Sequence, residues 1–174
     1  MEKFQTFDNA LLNRAGLNRQ AVFNLDDLPG EIATSVRTGC PSVRAPRQLI
    51  LIGHAGRQFW TELKASGIDS EHPIDDFSIE SVQRWFAACQ PGNSYEILYP
   101  GTPTIGLQQL GQLAGWHHAT PFMVGIDSEW GSWFAYRALL VTDTAFEPTR
   151  RIDSPPPCAS CDHKICIGSC PAAA

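Results

Sequence analysis

The stretch "RQLILIGHAG", residues 47–56, constrains the fold more than any other part of the chain. Four apolar residues, Leu49 to Ile52, run together between Pro46 and Gly53, too few for a helix of useful length and without the polar alternation of a half-solvated strand. Such a run is stable only where both faces of a sheet are covered, so it is expected to be a central strand with helices on either side. Those helices are legible nearby. "RQFWTELKASG" puts Phe59, Trp60 and Leu63 on one stripe and stops at Gly67, and "DDFSIESVQRWFAAC" does the same with Phe77, Val82, Trp85 and Phe86 behind two acids that favour a helix start.

Around this unit lie further elements. Phe7 to Ala15 has helical spacing and a stop at Gly16, "AVFNLDDLP" reads as a short extended segment, and "PGEIATSVRTG" opens a short helix at Pro29 and Gly30. "SYEILYPG" is a second strand and "GLQQLGQLAGW" a glycine-interrupted helix. "PFMVGIDSEWGSWFAYRALLVTD" is expected to hold two strands joined by the turn "DSEWGS", as a hairpin or one long bent strand. The spacing therefore predicts a domain of alternating helices and strands over residues 1–148, a proline-rich linker over 149–157, and a cysteine motif over 158–174.

With 174 residues the chain can build its own core without staples. Hydrophobic residues at 43% and charged residues at 18% suit a globular protein, and no apolar run nears the roughly 20 residues of a membrane span. The N-terminal residues lack the apolar stretch of a secretory leader, which sets the cytoplasm as the expectation. A net charge of −5 with scattered Lys and Arg speaks against a nucleic-acid partner.

Cys158, Cys161, Cys166 and Cys170, followed by Pro171, match the ferredoxin-like C-x₂-C-x₂-C-x₃-C-P run except in the middle gap. Soft thiolates at this density suit a 4Fe-4S cluster, while structural zinc usually takes two separated cysteine pairs. Zinc stays open as the rival. The proline also leaves three readings open: Cys170 closes one cluster locally, Cys40 or Cys89 assists, or the chain is a shortened form of a longer one. His163, between the cysteines, reads as a solvated loop residue that could also ligate iron.

The succession "GLQQLGQLAGW", "GSWFAYRALLVTD", a proline-bearing linker and a cysteine run ending in "CP" resembles the epoxyqueuosine reductases. "RQLILIGHAGRQFWTEL", "HPIDD" and the same "GSWFAYRALLV" resemble the cobalamin-processing proteins as well, over roughly residues 46–141. The resemblance implies an α+β fold with a nitroreductase-like sheet flanked by helices, a short iron–sulfur-binding tail, and a corrinoid, or another planar cofactor, in a broad cleft. Carried over residue by residue, the cofactor-binding positions are Trp130, Gly131, Ser132, Trp133 and Phe134, which also fit a plain hairpin with core aromatics. The arginine- and tyrosine-rich segment of the reductases is not present, which again speaks against a nucleic-acid substrate. The arginine cluster of the decyanating proteins is reduced to Arg137.

Other candidates are weaker. His72, Asp75 and Asp76 sit at a helix start where capping explains the acids. His117 and His118 follow a helix end that favours imidazolium, and one could serve as a lower axial ligand. His54 ends the central strand, a place where α/β sheets bind ligands. No nucleophile elbow, phosphate loop or H-E-x-x-H is present. The expected function is thus an iron–sulfur redox protein passing electrons to a corrinoid or other planar cofactor. An electron carrier, a corrinoid-binding module and a zinc-stapled interaction domain are the alternatives, and the partner is a redox protein or a small-molecule cofactor.

Overall fold

The computed structural model describes residues 4–39, 42–101, 105–121 and 123–169. Its centre is the predicted strand, β2 (Gln48–Ala55), in which every residue is buried. It lies between β1 (Arg19–Asn24) and β4 (Phe134–Thr142), and β3 (Tyr95–Tyr99) closes the far edge, giving the order β1-β2-β4-β3. All three pairings are antiparallel.

Because strand side chains alternate between faces, the continuous apolar run supplies two cores at once. Leu49 and Leu51 of β2 and Leu139 and Val141 of β4 pack on one side with α2 (Gly30–Gly39), α5 (Leu107–Ala114) and Trp116. Ile50, Ile52, Ala138 and Leu140 face the other side, against α1 (Ala10–Arg14), α3 (Gln58–Ser66), α4 (Pro73–Cys89) and Phe146. The result is the expected α+β class, with the sheet sandwiched between helical layers. No helix among the described residues is long and apolar enough to cross a membrane.

One prediction fails. The segment before β4 does not form a second strand; Ile126 instead bridges back to His118, and Asp127 bridges Gly131 across a tight turn. The cause is the Asp127 side chain, which is saturated locally: Oδ1 accepts from the Glu129 and Trp130 N–H groups at 2.9 and 3.0 Å, and Oδ2 takes Arg19 at 2.5 Å. That leaves β4 to start at Phe134.

Beyond β4 the extended chain is tied to the domain at several points. Thr149 donates its N–H to Val22 O and accepts the Val22 N–H on its hydroxyl, Ile152 N–H reaches Ala114 O, and Ser154 meets His118 Nε2 at 3.1 Å. A short 3₁₀ turn (Pro157–Ser160) and α6 (Ile165–Gly168) follow.

Candidate functional site

The end of β2 and the start of β4 are in register, Ala55 opposite Phe134, and Gly56 N–H carries the pairing on to Trp133 O at 2.9 Å. This ties the turn 130–133 directly to the end of the central strand. Gly56 is left-handed (φ 75°), and a Cβ there would lie 2.9 Å from the Trp130 ring, so its glycine lets that ring lie flat over the strand end. Gly131 is also left-handed (φ 57°) with nothing within 4 Å of a Cβ position, so its backbone is open to approach. Trp133 is 74% exposed, a large apolar side chain left in water on this turn.

The turn separates two cavities. Ser132 and Phe134 face one of about 320 Å³ that Tyr99, His117, Tyr136 and Arg137 also line. Trp130 and Trp133 face one of about 580 Å³ walled by Asn18, Arg57 and Glu129. All five carried positions thus lie at one end of the sheet, with Gly131 between the two hollows.

Beneath the turn runs a set of buried polar groups. Arg19 pairs with Asp127, almost wholly buried, and its guanidinium lies 5.2 Å from the Trp116 ring centroid. The Tyr136 hydroxyl is 3.3 Å from His117 Nδ1. Burial and the nearby Asp127 charge push the Tyr136 phenol well above its ordinary range, so it stays protonated. Desolvation lowers the His117 pKa, with the neighbouring His118 adding to the effect. This corrects the helix-dipole expectation: α5 ends at Ala114, and His117 beyond it is a buried neutral imidazole. His117 and His118 point to different partners, so they do not form a pair.

His54 and Arg137 form a second couple. Arg137 Nε donates to His54 Nδ1 at 2.9 Å, His54 stacks on Phe59 with ring centroids 4.6 Å apart, and the Arg137 guanidinium lies over Phe59 and Trp60 at 5.0 and 5.6 Å. Burial, then the Arg137 charge, holds the His54 pKa down to about 4. His72 occupies the cap position of α4 without a side-chain cap bond, and Asp76 accepts the Ser70 hydroxyl instead.

In the tail, Cys158 is half-buried and Cys161 and Cys166 are exposed, all as free thiols. Among the described residues no three His, Cys, Asp or Glu side chains gather in a way that could hold a metal ion. Cys170, like Cys40, lies outside the described residues, and His163 is exposed on a bend. Cys89, the last residue of α4, lies against Asp8 O at 3.9 Å.

With this geometry established, solved structures can be compared. An epoxyqueuosine reductase with an epoxyqueuosine-modified tRNA-Tyr stem loop superposes with a TM-score of 0.58 at 14% identity, covering 94% of this chain and 51% of that one. The chain has that fold. The Streptococcus thermophilus epoxyqueuosine reductase gives 0.56 at 15% identity over the same shares. The Caenorhabditis elegans B12-trafficking protein CblC, a homologue of human MMACHC, gives 0.53 at 14% identity, covering 84% and 73%. The chain spans about half the length of the reductases it matches. No protein family and no curated protein matches it by sequence.

The groups missed from sequence are Arg19, Asp127, Tyr136 and the role of Gly56. Of these only Asp127, in a D-x-x-x-G turn, carried a local signal.

Proposed function

We propose that the chain is a cofactor-binding reductase domain of nitroreductase-like type, which holds a corrinoid or another flat macrocycle against the turn Trp130, Gly131, Ser132, Trp133 and Phe134. The observation that carries this is the turn itself: a shared wall between two cavities, with an open glycine backbone and an indole left mostly in water. An exposed indole beside a bare backbone suits a planar ligand, because the ring can stack while the backbone approaches its edge. The buried Arg19–Asp127 pair holds the turn rigid so that this surface is preformed. The likeness in fold to epoxyqueuosine reductases and to CblC supports the same reading.

The thiols of Cys158, Cys161, Cys166 and Cys170 would hold a 4Fe-4S cluster, because soft thiolates at close spacing suit that group. When bound, such a cluster supplies single electrons at low potential. On this reading residues 1–148 bind the cofactor, 149–157 link, and 158–174 hold the metal. The net charge of −5 argues for a small-molecule cofactor or a redox protein as partner, whereas one neighbour in fold carries a tRNA stem loop, so nucleic acid stays within the scope of the test.

The test is metal and sulfide analysis of protein purified without oxygen, followed by titration with cobinamide and with a tRNA stem loop. Iron and sulfide at about four each per chain, with a cobinamide spectrum that shifts and saturates, is the expected result. Zinc without sulfide overturns the redox part, and an unchanged cobinamide spectrum overturns the corrinoid part.

A further inference from the structure

The smaller cavity holds the Tyr136–His117 couple, whose tyrosine ring also packs edge-on against Phe134 of the turn with centroids 5.6 Å apart. Tyr136 reaches His117 only because residue 111 in α5 is glycine: a Cβ there would lie 1.9 Å from the Tyr136 hydroxyl oxygen. Gly125 makes a second allowance, since a Cβ there would fall 2.0 Å from His117 Cε1. Two glycines thus make room for one phenol and one imidazole. His117 Nδ1 is the hydrogen-bonding partner that the structure gives the Tyr136 hydroxyl.

We propose that Tyr136 donates to His117 Nδ1, fixing the imidazole proton on Nε2, and that His117 thereby serves the cavity as a hydrogen-bond donor to the carbonyl of an uncharged carboxamide on a flat ligand. The assignment rests on the reading that this cavity is a ligand site, and it supplies the chemistry that reading lacks. A neutral imidazole has one donor and one acceptor nitrogen; with Nδ1 accepting, Nε2 has no lone pair to offer a metal. His117 is then not an axial ligand. Both members stay uncharged at neutral pH, the phenol because its pKa is raised and the imidazole because its pKa is lowered. Gln108 on the same wall offers the donor-and-acceptor complement a carboxamide needs, while Tyr99, Leu107 and Phe134 supply apolar surface for a ring. Arg137 also reaches this wall, but its Nε is engaged by His54 and its guanidinium lies over Phe59 and Trp60, in the core on the face of the sheet opposite Tyr136.

The experiment uses the full chain labelled with ¹⁵N-histidine. Long-range ¹H–¹⁵N correlations report the His117 tautomer without any ligand, and benzamide and benzoate are then titrated as probes. The expected result is an Nε2–H tautomer that Tyr136→Phe converts to a mixture, benzamide shifting and saturating the His117 signals, and benzamide binding roughly 3–10-fold weaker in Tyr136→Phe, the worth of one neutral hydrogen bond. An Nδ1–H tautomer in the wild type, tighter binding of benzoate than benzamide, or no movement of the His117 signals with either probe overturns the proposal. Cobinamide separates this result from the cofactor reading. If cobinamide leaves the spectrum unchanged while benzamide moves His117, the corrinoid reading falls and the donor role stands; nitrogen coupling to bound Co(II) that disappears in His117→Asn overturns the donor role.

Discussion

His54 accepts from Arg137 only while its ring is neutral, and burial keeps it so down to about pH 4. In the unfolded chain the same imidazole takes a proton near pH 6.5. Between those two values the unfolded state binds more protons than the folded one, so stability is complete above about pH 6.5 and falls as the pH drops toward 4, by at most about 3 kcal/mol. Urea melts at pH 7 and pH 4.5 should show that loss in the wild type and a smaller one in His54→Gln, which cannot titrate; equal slopes would refute it. Asp143, whose pKa its bonds to Ser94 and Asn93 hold down despite burial, adds acid sensitivity common to both proteins. A second test concerns the pair beneath the turn. Asp127→Asn leaves the Arg19 charge buried without its partner, an effect on the order of 3–5 kcal/mol, and thermal melts should show it as a large drop in Tm. Neither group could be weighed from sequence in this way, because Arg19 and Asp127 are 108 positions apart and only the antiparallel packing brings them together.

At the level of elements, the pattern of residues was informative wherever one periodicity dominated. β2 and α4 are where the apolar run and the 3.6-residue stripe place them, since each buries its apolar side with little competition. The segment before β4 was misread because strand-like residues there answer to a side chain instead: Asp127 closes the loop on its own backbone and on Arg19. The fit of α5 against β4 has its own prediction. Gly111→Ala sets a methyl group against the Tyr136 hydroxyl, and the overpacking should lower stability by about 1–3 kcal/mol. Adding Tyr136→Phe removes the nearest atom but leaves the ring carbon Cζ 2.7 Å from the new methyl, so calorimetry of the double variant should recover part of the loss; strictly additive losses would show that the two sites do not touch.

For the whole molecule, the position of the two cores predicts that the sandwich keeps its stability without the tail. Residues 155–169 contribute no side chain to either core, so a chain ending after Ser154 should melt within about 2 °C of the full one, and on the iron–sulfur reading proposed above it should take up no iron. A fall of ten degrees would mean that the tail supports the fold. The five positions of the turn were legible in sequence through resemblance alone, whereas their common wall with two cavities required the register of β2 against β4. The bonds from Ile152 to Ala114 and from Ser154 to His118 have a mechanical meaning beyond stability. From Ser154 to Cys158 is four residues, which stretched out reach at most about 14 Å. The Cys158 thiol is therefore on a short leash pegged at His118, and its reach is limited to the side of the sheet where the smaller cavity opens.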